Sequence, residues 1–81
     1  MADKEIVIYT LPTCADCHAA KRYFTEVGVQ FLEKDCTTNS AYPKEVYDLT
    51  QKQTVPTIVI DEQVFVGFTD HFEQIQQLVK S

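Results

Sequence analysis

Two cysteines, Cys14 and Cys17, stand with only Ala15 and Asp16 between them. On a helix, residues three apart share a face, so one sulfur can reach the other and the pair can open and close a disulfide. The thiolate is the reactive form, and an ordinary thiol with a pKa of about 8.5 is mostly protonated at neutral pH. A helix N-terminus favours negative charge, because its first N–H groups are unpaired and the macrodipole is positive there. From Ala15 onward the residues are helix formers, which places Cys14 at or just before such a terminus.

The elements that must hold this pair alternate along the chain. Ile6, Val7, Ile8 and Tyr9 have the β-branched and aromatic character of a strand over residues 5–10, and Leu11-Pro12-Thr13 breaks it. Helix one follows, with Ala20, Phe24 and Val27 at helical spacing on the Cys17 face and Gly28 as its stop signal. Residues 29–35 read as strand two, and a parallel partner for strand one requires a right-handed crossover through that helix. Thr37 to Ser40 supply turn and cap residues, and Pro43 suits the first turn of helix two, which turns Val46 and Leu49 inward. Residues 57–60 and 64–66 form a hairpin about Asp61-Glu62-Gln63. The last helix runs from Asp70 with Thr69 as N-cap and Phe72, Ile75, Leu78 and Val79 as its buried stripe.

The whole chain bounds the chemistry further. Its 81 residues suffice for one domain near the lower end of what hydrophobic burial alone can fold. A net charge of −5 argues against nucleic acid or an anionic membrane as the main partner. The charged start, MADKE, and the lack of any long apolar run predict a soluble, untargeted, cytoplasmic protein. Three cysteines, an odd number, fit a working thiol pair in a reducing compartment better than a disulfide scaffold.

The βαβαββα order, Cys14-Ala15-Asp16-Cys17 after strand one, Thr54-Val55-Pro56 before strand three and Gly67-Phe68-Thr69-Asp70 before the last helix resemble the glutaredoxin family. The resemblance spans essentially the entire chain. It implies an α/β, thioredoxin-like fold in a single domain over residues 1–81, a four-stranded mixed sheet flanked by three helices. It also implies a small dithiol thiol-disulfide oxidoreductase that reduces protein or glutathione mixed disulfides. Cys14 would attack a substrate disulfide and Cys17 would resolve the mixed disulfide. Only about 5–6% of X-Pro bonds in folded proteins are cis, but the family holds this proline cis, so the resemblance implies a cis Val55-Pro56 bond. The Val55 backbone could then pair with an extended thiol substrate such as glutathione.

Carried over in the same way, Thr13, Val55, Pro56, Gly67, Phe68, Thr69 and Asp70 form the expected substrate site. N–H groups where the last helix begins would hold a carboxylate, and Asp70 would receive the α-ammonium of a γ-glutamyl group. Two positions depart from the family pattern: Val66 stands where a glycine is usual, and Leu11 where a basic residue is common. Gly67-Phe68 resembles instead the turn of the NrdH-type redoxins, glutaredoxin-like proteins reduced by thioredoxin reductase. Glutathione and thioredoxin reductase therefore both stay open as reductant. The expected partner is a thiol or disulfide, glutathione itself or a protein such as ribonucleotide reductase, met by a monomer with no tightly bound cofactor and no metal.

Charges beside the pair bear on its acidity. Asp16 should leave the Cys14 thiolate less stabilised than an apolar neighbour would, while His18, Lys21 and Arg22 are the candidate compensating cations. Tyr9, Pro12, Val55 and Phe68 are expected to line an apolar rim around the sulfurs, and Tyr23, Tyr42 and Tyr47 to pack with solvated hydroxyls. Cys36, near the end of strand two, is either a regulatory thiol or a small core hydrophobe.

Other chemistries share these letters. Cys14-Ala15-Asp16-Cys17-His18 matches a c-type haem attachment pattern with His18 as axial ligand, although the motif follows a strand and the single methionine is Met1. Zinc held by Cys14, Cys17, Cys36 and either His18 or His71 is chemically reasonable. A bridging iron-sulfur cluster, as some glutaredoxins carry, and a metal-binding thioredoxin-fold module are the alternatives to an enzyme.

Overall fold

A computed structural model describes residues 5–80; residues 1–4, Met1 among them, and Ser81 lie outside it. The chain runs β1 (Ile6–Thr10), α1 (Ala15–Val27), β2 (Leu32–Asp35), α2 (Ala41–Thr50), β3 (Thr57–Ile60), β4 (Gln63–Val66) and α3 (Phe72–Lys80), which a 3₁₀ turn over Thr69–His71 precedes. This is the thioredoxin-like α/β fold, with four strands in the order β2-β1-β3-β4. Strand β1 pairs parallel with β2 and antiparallel with β3, and Ile8 sits opposite both Glu33 and Ile58. The β3–β4 hairpin closes through a two-residue turn, with Asp61 at φ 55° and Gln63 already in the strand.

Alternation along β1 sorts the two faces of the sheet. Ile6 and Ile8 meet Ala20 and Phe24 of α1 and Ile75 of α3, with Ile58, Ile60 and Phe65 completing the cluster. Tyr9 points to the opposite face, where α2 lies: its ring meets Tyr42 edge-on and its hydroxyl donates to Glu45 at 2.7 Å. Lys34 completes this patch, 3.1 Å from Glu45 and 5.3 Å from the centre of the Tyr9 ring.

Helix α1 ends at Gly28, whose φ of 80° is the left-handed conformation that glycine adopts without a Cβ penalty. Its N–H reaches back to the Phe24 and Thr25 carbonyls, and the Val29 N–H also returns to Phe24. That turn uses up the start of the expected second strand, so β2 begins at Leu32 while Val29 and Phe31 pack against the core as connecting chain. The side-chain contact at the start of α2 comes from within the expected turn and cap run 37–40. Asn39, and not Ser40, accepts the Ala41 N–H at 2.9 Å.

Packing expectations are corrected at five residues. Val27 is 37% exposed and Leu49 43% exposed, because each lies at the end of its helix, past the reach of the sheet beneath. Phe68 and Tyr9 are buried in the body of the fold and contribute no rim around the sulfurs. The Phe68 ring packs among Tyr23, Phe24 and Phe72. Inside that aromatic cluster the Tyr23 hydroxyl is buried with no hydrogen-bond partner among the described residues, where solvation was expected.

Candidate active site

Strand β1 delivers the chain to the sheet edge, and a turn closed by the Cys14 N–H to the Leu11 carbonyl at 3.1 Å swings it into α1. Cys14 is the N-cap of that helix, with extended backbone, and its sulfur accepts the Cys17 N–H at 3.2 Å. Caps are ordinarily serine, threonine or aspartate oxygens. Here sulfur takes the position, so ionisation of Cys14 turns a neutral cap into a charge-assisted one aligned with the macrodipole. The protonated thiol has a second partner, donating to the Val55 carbonyl at 3.8 Å. The Val55-Pro56 bond is cis, as the resemblance implied, and the Val55 carbonyl that meets the Cys14 sulfur places it beside that sulfur.

The two sulfurs are unlike. Cys14 is partly exposed and Cys17 fully buried; both are free thiols, as is Cys36. Burial, reinforced by hydrogen bonding to Cys14, pushes the Cys17 thiol up to about 12, so Cys17 keeps its proton at neutral pH. The pair therefore combines an accessible sulfur at a helix cap with a shielded reserve thiol one turn further on.

Asp16 goes to a place that its position between the cysteines did not foretell. Its Oδ2 accepts the Phe68 N–H at 2.8 Å and the Thr69 N–H at 3.3 Å, while its Oδ1 accepts the Thr69 hydroxyl at 2.6 Å. Burial acts to raise the Asp16 pKa, but these three donors outweigh it and hold the carboxyl below its ordinary value. Thr69 is thus a donor to Asp16 and not the expected N-cap; the 3₁₀ turn starts after Phe68, which makes no side-chain cap.

The remaining expected residues divide into those at the sulfurs and those elsewhere. Thr13 is exposed in the turn before Cys14, and Pro56 is buried with its carbonyl accepting the Gly67 N–H at 2.8 Å. This bond ties the cis-proline loop to the turn after β4, where Gly67 takes a φ of 93° that L side chains rarely adopt. Thr69 and Asp70 are exposed on that turn. Lys21 is directed away to Glu33 at 2.8 Å, and Glu33 also takes the hydroxyl of buried Thr10. His18 Nε2 lies 2.8 Å from the Pro12 carbonyl, so this nitrogen carries the proton and braces the turn before Cys14. With Nε2 committed to that bond, His18 does not present it as an axial ligand. Among the described residues no group of three or more His, Cys, Asp or Glu side chains is arranged to hold a metal.

Cys36 lies just past β2, its N–H bonded to the Thr10 carbonyl at 2.9 Å. It lines a cavity of about 220 Å³ with Leu11, Pro43, Val46, Gln53 and Val55. Burial, with the Asp35 and Glu45 carboxylates adding to it, raises its pKa, so little of it is thiolate at neutral pH. Sequence reasoning missed Asp16's partners and the Lys34-Glu45-Tyr9 patch. The signal for the first was present: a carboxylate beside the cysteines, and unpaired N–H groups at a helix start read as a seat for a carboxylate. No helix among the described residues is long and apolar enough to cross a membrane.

Comparison with known proteins agrees with this geometry. The glutaredoxin family model matches residues 6–65. Glutaredoxin 3 of Escherichia coli K12 is 38% identical over 65 residues, covering 80% of this chain and 78% of that protein. The Gene 56 protein of Mycobacterium phage D29 is 36% identical over 70 residues, 86% of this chain and 68% of that protein. Among solved structures, the thioredoxin-like protein BC3987 superposes with a TM-score of 0.80 at 32% identity, covering 90% of this chain and 97% of that one. With its paired cysteines at the head of α1 and its cis-proline beside them, the chain belongs to the glutaredoxin family, whose members are thiol-disulfide oxidoreductases.

Proposed function

We infer that this chain is a dithiol reductase of protein or glutathione mixed disulfides, with Cys14 as nucleophile and Cys17 as resolving thiol. The observation that carries the reading is the Cys17 N–H donated to the Cys14 sulfur at the cap of α1. A Cys14 thiolate attacks one sulfur of R–S–S–R′, forming a Cys14–S–S–R bond and expelling R′–S⁻. Cys17 then gives up its proton and attacks the Cys14 sulfur. R–S⁻ leaves, takes up a proton and departs as R–SH, while the chain is left with a Cys14–Cys17 disulfide. Two electrons have passed to the substrate, and a reductant must return two to the chain.

Substrate binding follows from the same surfaces. The backbone at Val55 and cis Pro56 provides an extended edge beside the sulfur for a thiol-bearing segment, and Thr13 is exposed in the turn just before Cys14. The turn Gly67 to Asp70 is tied to this edge by the Gly67 N–H bonded to the Pro56 carbonyl. Leu11 faces the Cys36 cavity and offers no cation to a glutathione carboxylate, which favours a protein disulfide as substrate and thioredoxin reductase as electron source. A reducing compartment such as the cytoplasm suits this cycle.

The test couples reduction of a protein disulfide to NADPH oxidation with two alternative reductants. Turnover is expected with thioredoxin reductase at a rate well above that with glutathione and glutathione reductase. The opposite order would assign the glutathione route, and no disulfide reduction with either would refute the oxidoreductase reading.

A further inference from the structure

The donors that open the last helical segment are already occupied. The Phe68 and Thr69 N–H groups and the Thr69 hydroxyl converge on the two oxygens of Asp16 at 2.8, 3.3 and 2.6 Å. A carboxylate bridging two successive backbone N–H groups and a hydroxyl at a helix start is the arrangement by which proteins bind anionic ligands. In this chain the anion is internal, and it comes from the segment between the two reactive cysteines. All three of Asp16's partners here are uncharged groups, so the site retains a full negative charge close to the sulfurs.

Resting on the disulfide-reductase reading above, we propose that Asp16 is a specificity-determining residue: its carboxylate fills the anion seat at Phe68 and Thr69 and selects against disulfides that carry a carboxylate there. An anionic small disulfide approaching Cys14 meets donors that are spent and a like charge that repels it. A neutral or cationic disulfide loses nothing by their occupation and is drawn by the same charge. The exposed Asp70 carboxylate on the same turn works in the same direction. Preference is thus set by a residue that does not touch the scissile bond.

Two small probes of opposite charge separate this role from simple capping of the turn. Glutathione disulfide carries carboxylates, and cystamine is a dication. For the unmodified chain, kcat/KM should be higher for cystamine. In Asp16→Ala the ratio of kcat/KM for glutathione disulfide to that for cystamine should rise by about tenfold or more, the scale of one hydrogen-bonded charge. Asp16→Asn should shift the ratio the same way but less, because its amide oxygen still accepts one N–H; it also preserves volume and carries the test if the alanine variant does not fold.

A residue that merely caps the turn would lower Tm in both variants and leave the ratio within about twofold. That result would overturn the proposal while sparing the reductase reading. If the unmodified chain reduces neither these probes nor a protein disulfide, both fall together.

Discussion

Cys14→Ser is expected to abolish disulfide reduction, lowering kcat/KM by at least about 10³-fold. A serine hydroxyl in the same cap can accept the Cys17 N–H, so α1 should form as before. Its oxygen is not ionised at neutral pH and does not attack sulfur, and Cys17 cannot replace it. That thiol is fully buried and pushed up to about 12 by its burial, so its thiolate is scarce and out of reach of an external disulfide. Coupled NADPH oxidation measures the loss, and a far-ultraviolet spectrum like that of the unmodified chain would show that the fold survives. Activity retained within about tenfold would move the chemistry to another sulfur, with Cys36 the remaining candidate.

The second large effect is on stability. Phe24 is fully buried where α1 meets the sheet, and its ring contacts Phe31 and Phe68 as well as Tyr23. Removing a buried phenylalanine costs about 3–5 kcal/mol through lost transfer energy and the cavity left behind. At roughly 0.05–0.15 kcal/mol per residue, a domain of this size holds only about 4–12 kcal/mol in total. Phe24→Ala should therefore lower Tm by at least about 12 °C in a thermal melt, since 1 kcal/mol is worth about 4–8 °C at this size. A shift below about 4 °C would mean that the ring is not the anchor between helix and sheet. The consequence reaches the site, because the α1 that Phe24 seats is the helix whose first turn caps Cys14.

The order of elements was legible because each carries its own periodicity. The β-branched run 6–9, the Ala20 and Phe24 face of α1, and the hairpin residues 57–66 all fold as their local patterns direct. Val27 and Leu49 misled, since the same apolar spacing continues to a helix end whether or not the sheet extends that far. Phe68 misled differently: as part of a turn resembling a ligand loop it reads as surface, but its ring completes an aromatic cluster contributed by α1 and α3.

At the site, the placement of Cys14 at the cap of α1 and of Cys17 one turn on follows from spacing and helix position, and it is local. Asp16's role is not. Its partners lie 52 and 53 residues away, and only the return of the turn between β4 and α3 to the head of α1 brings them together. His18 and Lys21, expected as compensating cations, each have a partner other than the Cys14 sulfur. The Pro12 carbonyl takes the imidazole and Glu33 takes the ammonium. Proximity to a thiol in sequence does not show which partner a cation takes, and here a carboxylate on the adjacent strand is within reach of Lys21.

The division of labour between the two sulfurs is tested most directly by incubating Cys17→Ser with a disulfide substrate, quenching with acid and mapping the adduct by mass spectrometry. The reaction should stop at a single mixed disulfide on Cys14, stable until a thiol reductant is added. An adduct on Cys36, or none at all while the unmodified chain turns over, would contradict an attack by Cys14 resolved by its buried neighbour.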